Sequence, residues 1–129
     1  MSAFDTGHYP DQVGIDAYGN GGFRFADMSH KGSLLCLPDG MQGWSVRSVA
    51  ELTLESLRPV LAQAAKLDVL LIGLGTEIVA IDPAIRQALR DQKIIIEATQ
   101  TGGAVRTYNV LLAEERAVGA ALIAVAKAR

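Results

Sequence analysis

Two short, unbroken apolar runs limit the possible folds of this chain more than any other feature. Val69-Leu70-Leu71-Ile72 follows Asp68, and Ile94-Ile95-Ile96 comes later. Runs of this kind read as strands covered on both faces, because a half-exposed strand alternates apolar and polar residues. Between them, Asp82-Pro83 offers an N-cap followed by proline at the first helical position. Ile85, Ala88 and Leu89 then supply a buried helical stripe. Thr101 opens a further helix, with Tyr108, Leu111 and Leu112 facing inward. Strand, helix, strand, helix implies right-handed crossovers and parallel pairing.

The first third has a different period. Val13 to Tyr18 alternates, Gly19-Asn20-Gly21-Gly22 tolerates positive φ, and Phe23-Arg24-Phe25 alternates again, which predicts a β-hairpin. Ser33 to Leu37 is an apolar run, Pro38-Asp39-Gly40 a turn, and Met41 to Val46 leads out of it, with Trp44 on one face. Leu54, Leu57, Leu61 and Ala64 then recur at helical spacing. Thr53 as cap would leave Pro59 inside that helix, whereas Ser56 would place Pro59 in the first turn at little cost. The segment 116–125 is open between a helix, favoured by its alanines, and a last strand. The sum is an α/β fold in three layers. A central mixed, mostly parallel sheet is flanked by helices and joined by a smaller N-terminal antiparallel β unit. Residues 1–12 are expected to be flexible, and 13–129 to form a single domain.

Composition narrows the function classes. The formal net charge is −2 with no Lys/Arg run, which argues against nucleic acid or an anionic membrane as partner. The single Cys36 excludes an intrachain disulfide and sits in an apolar run, as a buried small hydrophobe does. No basic neighbour is placed to activate it. His8 and His30 are isolated, and no His/Cys/Asp spacing suggests a metal site. No Gly-x-Ser-x-Gly elbow is present. Catalytic residues, metals and cofactors are therefore expected to be none. The absence of an apolar span or a visible leader points to a cytoplasmic protein, either bacterial or a trimmed mature form.

The candidate ligand positions are the ends of the two buried strands. Gly73-Leu74-Gly75-Thr76 and Thr101-Gly102-Gly103 each follow a strand and precede a helix, where free N–H groups can receive an anion. Neither is a dinucleotide fingerprint or a P-loop, and tight turns explain the glycines equally well. Thr101 reads alternatively as a plain cap. Arg106 and Asn109 are three apart and share a helix face. Arg106 can hold a carboxylate or phosphate bidentately, or pair internally with Glu114, Glu115, Glu77 or Glu97. Asn109 can read a ligand or tie down a neighbouring loop. The expected effect of Arg106→Ala is mainly a loss of stability.

Residues 101–122 carry a resemblance. Ala104, Arg106-Thr107-Tyr108-Asn109, Leu111, Glu114, Arg116, Val118 and Ala120-Ala121-Leu122 resemble the signature of a small-domain family. That family includes mitochondrial respiratory complex I assembly factor three and many bacterial and archaeal proteins. The resemblance extends over about residues 13–125. It implies the same three-layer α/β fold, a turn at Glu114 to Arg116, and a strand over 117–124 antiparallel to its neighbours. Glu115 stands where the family carries glycine, which leaves open a tight positive-φ turn. Gly73-Leu74-Gly75 stands where the family reads Gly-Thr-Gly. By analogy with the mitochondrial relative, the implied role is a protein-interaction or assembly module with other proteins as partners. A monomer or weak homodimer is expected. The alternative is a small-anion binding protein or enzyme built on Gly73–Gly75 and Gly102–Arg106. The lack of an evident nucleophile or proton shuttle favours the first.

Overall fold

The structure, a computed structural model, describes residues 7–128. The strands are β1 (His8–Tyr9), β2 (Ala17–Gly19), β3 (Gly22–Phe25), β4 (Met28–Lys31), β5 (Ser33–Leu37), β6 (Gly40–Trp44), β7 (Val69–Gly73), β8 (Ile95–Thr99) and β9 (Val118–Leu122). The helices are α1 (Arg58–Ala62), α2 (Pro83–Asp91) and α3 (Thr101–Ala113). One sheet of six strands runs in the order β1-β6-β5-β9-β7-β8, and a second of three strands in the order β2-β3-β4. The large sheet is mixed: β7 pairs parallel with β8 and β9, and the other pairings are antiparallel. Its parallel part is thus the β8-β7-β9 end alone.

Both hairpins of the small sheet turn on residues with positive φ. Asn20 (53°) and Gly21 (77°) connect β2 to β3, as their chemistry suggests. Ala26 (50°) and Asp27 (61°) connect β3 to β4. That second turn carries no glycine, and β4 went unforeseen for that reason. Of the stretch expected to be loose, residues 1–6 lie outside the described residues. His8 and Tyr9 pair with Gln42 and Met41, so an ordered strand begins earlier than expected.

Proline divides the middle segment. Thr53 and Ser56 hydrogen-bond reciprocally, each side-chain oxygen accepting from the other's backbone N–H (3.1 and 3.0 Å). Pro59 lies in the first turn of α1, with 3-10 turns on either side at Glu55–Leu57 and Ala64–Lys66. Leu57 and Val60 are buried, whereas Leu54 is exposed.

The sheet separates two apolar cores. On one face Leu70, Ile72, Leu35 and Leu37 pack with Leu57, Val60, Ile85 and Leu89. On the other, Leu71, Cys36, Ala120 and Leu122 pack with Tyr108, Val105, Phe23 and Phe25. The layers are therefore α1 and α2, the large sheet, and α3 with the small sheet.

Two expectations need correction. Ile95 is 65 % exposed, although Ile94 is buried. The strand β8 is an edge, and α3 packs chiefly over β7 and β9 and only weakly against β8, which leaves Ile95 uncovered. The strand over 118–122 does form, but it is antiparallel only to β5; against β7 it is parallel.

The turn after α3 forms despite Glu115, which adopts φ 60°. Arg116 N–H donates to Leu111 C=O (3.0 Å) and Glu115 N–H to Leu112 C=O (2.9 Å), the paired bonds of a Schellman motif. The same arrangement ends α2: Lys93 has φ 64°, Ile94 N–H donates to Leu89 C=O (3.1 Å) and Lys93 N–H to Arg90 C=O (2.8 Å).

Candidate functional site

The two strand-end loops meet. Leu74 N–H donates to Thr99 C=O (2.8 Å), Thr101 N–H to Gly75 C=O (2.9 Å), and the Gln100 amide to Thr76 C=O (2.7 Å). Thr101 is fully buried. Its hydroxyl accepts from Gly75 N–H (2.9 Å) and donates to Ile123 C=O (2.7 Å). Thr101 is the first residue of α3 and Gln100 the N-cap position, so its side chain joins three chain segments instead of capping the helix. Gly73 lets these segments close up: a Cβ there would lie 2.9 Å from Thr101 Cα. Gly75 has φ 83° and so makes a turn few side chains permit.

Around this junction lies a cavity of about 320 Å³. Gly75, Thr76, Gln100, Gly102, Gly103 and Arg106 form one wall, and Tyr18, Val125 and Lys127 complete it. No carboxylate lines it among the described residues. Of the first four N–H groups of α3, those of Thr101 and Ala104 are taken by Gly75 and Gln100. Those of Gly102 and Gly103 meet no protein acceptor among the described residues. They carry the positive end of the helix dipole. The exposed Arg106 guanidinium makes no ion pair among the described residues, so the internal carboxylate partner considered for it is absent there. The site thus has the chemistry to receive a small anion.

Four of the sequence-predicted residues, Gly75, Gly102, Gly103 and Arg106, share this cavity. Gly73 and Thr101 build it from behind. Asn109 serves elsewhere. Its Oδ1 accepts from Ile15 N–H (2.8 Å) while its Nδ2 donates to Ile15 C=O (2.8 Å), as a neighbouring strand would. Next to it, the Tyr108 hydroxyl donates to Val13 C=O (2.8 Å). Gln12 donates to Val118 C=O (2.7 Å). Tyr108 and Asn109 therefore strap residues 12–15 across α3. Gln100 could have been read from its place before Thr101. Tyr18 and Lys127 arrive by tertiary folding alone, and no local signal marks them.

The groups with shifted pKa lie outside the cavity. Burial pushes the Cys36 thiol and the Tyr108 hydroxyl far up, and raises the Tyr9 hydroxyl too. Cys36 is fully buried. His30 is a satisfied core residue: its Nε2 lies 3.0 Å from Ser33 C=O and its Nδ1 2.9 Å from the Tyr9 hydroxyl. The tautomer that donates from Nε2 leaves Nδ1 to accept from Tyr9. No cluster of metal-ligating side chains is found among the described residues.

Residues 15–123 match the model of a family described as "Protein of unknown function (DUF498/DUF598)". The chain belongs to this family. A crystal structure described as that of an outer membrane protein from Bartonella henselae is 48 % identical, with TM-score 0.88, covering 92 % of this chain and 99 % of that one. An uncharacterized protein of Rhodobacter capsulatus is 36 % identical over 84 % of this chain and 82 % of its own length. The mouse NADH dehydrogenase [ubiquinone] 1 alpha subcomplex assembly factor 3 is 31 % identical over 89 % of this chain. The match spans 62 % of the mouse protein. The family resemblance and the mixed α/β fold read from the sequence are thereby established. No helix among the described residues is long and apolar enough to cross a membrane.

Proposed function

We propose that this chain is a protein-docking module of the assembly-factor kind. The observation that carries the reading is a set of large apolar side chains left open to solvent. Ile95 is 65 % and Val110 57 % exposed, on β8 and α3. Ile78 and Val79, in the loop before α2, are exposed as well. Large apolar side chains cost free energy in water and cluster where a partner covers them. The mouse relative's name as an assembly factor supports the same role. The cavity beside α3 has no cysteine, serine, histidine or carboxylate among its described residues, which weighs against an enzyme. A cytoplasmic site of action belongs to this reading. The test is affinity purification from the native host with mass spectrometry, wild type beside Ile95→Asp/Val110→Asp. Partners retained by the wild type and lost by the folded variant are expected. A wild type that retains nothing above an unrelated bait overturns the reading.

The second reading is a small-anion site at the cavity, favoured by Arg106, which makes no ion pair among the described residues, beside Gly102 and Gly103 N–H groups that meet no acceptor there. Calorimetric titration with inorganic phosphate and with citrate tests it. Heat that disappears in Arg106→Ala supports it, and no heat in either protein rejects it.

A further inference from the structure

The edge strand β8 has a definite polarity toward solvent. It pairs with β7 alone. Ile95 N–H donates to Asp68 C=O (2.8 Å) and Thr99 C=O accepts from Leu74 N–H (2.8 Å). Ile95, Glu97 and Thr99 therefore turn their backbone groups to β7. Ile96 and Ala98, alternating with them, present an N–H and a C=O outward. Nothing in β8 blunts this edge except the charge of Glu97, since it contains no proline or lysine.

The two faces beside the edge differ in chemistry. On the α2 face, Arg86, Arg90 and Lys93 line a groove of about 310 Å³ with Ile94, Ile95 and Ile96. None of these cations makes an ion pair among the described residues, where the pairs are Arg58–Glu55 and Lys66–Asp39. Ile95 also borders that groove, but its register with Val69 turns its side chain to the α3 face, where Val110 is exposed too. A Cβ at Gly103 would sit 3.3 Å from Thr99 Cγ2, so the start of α3 lies against the end of β8. The helix then runs back along the strand. Seven residues of helix advance about 10 Å and four of strand about 13 Å, so Val110 comes level with Ile95. Seven residues are also close to two full turns, which puts Val110 on the Gly103 side.

We propose that β8 is a docking edge that accepts an extended acidic–apolar segment of a partner protein as an added strand. Its backbone pairs with Ile96 and Ala98. Side chains alternate along a strand, so one set meets Arg86, Arg90 and Lys93 and is acidic, while the other meets Ile95 and Val110 and is apolar. The charge complementarity selects this occupant over a second copy of the chain. Antiparallel self-pairing about Glu97 would oppose two glutamates and bring both cationic grooves to one seam, and like charges directly opposite are destabilising. The inference rests on the protein-docking reading and names its surface and the partner's chemistry.

The test titrates the isotopically labelled full chain with an acetylated heptapeptide of alternating glutamate and valine, and with its lysine–valine counterpart. The acidic peptide is expected to bind and to slow amide exchange at Ile96 and Ala98. Ala98→Pro removes only an outward N–H, which an edge strand tolerates, and should weaken binding roughly tenfold or more. Arg86→Glu/Arg90→Glu should bind the lysine peptide instead, and this arm decides if Ala98→Pro fails to fold. Equal binding of both peptides, shifts centred on Gly102 to Arg106, or concentration-dependent self-association through β8 would overturn the proposal. A native partner held equally by wild type, folded Ala98→Pro and Arg86→Glu/Arg90→Glu would also overturn it, while leaving the protein-docking reading intact.

Discussion

Arg106 and Asn109 lie three residues apart on one helix, and their alanine variants should behave oppositely. Asn109 gives both amide atoms to Ile15, at 2.8 Å each, and Ile15 is 4 % exposed. Alanine would leave a buried N–H and C=O without partners, at about 1–3 kcal/mol for each group before relaxation. A loss of roughly 2–4 kcal/mol is therefore expected. For 129 residues, an unfolding entropy of about 2.1 cal/mol/K per residue makes roughly 0.27 kcal/mol/K, so 3 kcal/mol lowers Tm by about 11 °C. Arg106 is exposed and lacks an ion-pair partner among the described residues. Its alanine variant should melt within about 2 °C of wild type, the shift expected for 0.5 kcal/mol. This reverses the expectation drawn from the sequence, where an internal carboxylate was considered for Arg106. Calorimetric melts of the two variants, with urea titrations to fix ΔG, decide it. An Asn109→Ala loss below about 1 kcal/mol would show that water or a shifted strap replaces the amide. An Arg106→Ala loss as large as that of Asn109→Ala would refute the reading of Arg106 as free.

Glu115→Gly and Lys93→Gly should each stabilise by about 0.5–1 kcal/mol, since both residues hold positive φ at a helix end where glycine is favoured; unchanged or lower urea midpoints would contradict this. Leu70→Ala, in the fully buried centre of β7, should cost about 2–5 kcal/mol, and a loss under ~1 kcal/mol would show a site that collapses to fill the space. Burial raises the Cys36 thiol and the Tyr108 hydroxyl, so the native state keeps these protons to higher pH than the unfolded chain. Their stabilisation is present below the unfolded values, roughly pH 8.5 and pH 10, and is lost as pH rises past them, by about 1.4 kcal/mol per pH unit and proton. Urea titrations across that range should show the decline, and Cys36→Ala should remove its earlier limb; a flat profile would refute the assignment.

What the sequence made legible was whatever depends on local period or turn chemistry. The Val69–Ile72 run, the Asp82-Pro83 start and the Asn20-Gly21 turn each act on neighbouring residues, and each appears as expected. Asp82 accepts from Ala84 N–H at 2.8 Å. The exposure of Ile95 was not legible, because an apolar run carries no sign of whether a helix will cover it. The direction of β9 relative to β7 likewise follows from sheet order, which no window of residues contains. For the candidate cavity, the loops at 73–75 and 101–103 were visible as strand ends. Tyr18 and Lys127 join them only because the hairpin and the segment after β9 fold back over α3.

The place of β9 shapes how this molecule reaches its native state. It is the last strand in sequence, yet it lies between β5 and β7 and joins the antiparallel part of the large sheet to the parallel part. Until it inserts, the β1-β6-β5 ladder and the β7-β8 unit have no strand in common. Each would expose an open edge made of wholly buried native positions. Contacts this distant in sequence form slowly, and unpaired edges are where chains misassociate. The small side chains of Gly119, Ala120 and Ala121 suit a strand that must slot between two others already formed. Folding should therefore show a late step that depends on β9, and conditions that delay it should favour aggregation over a stable half-folded form.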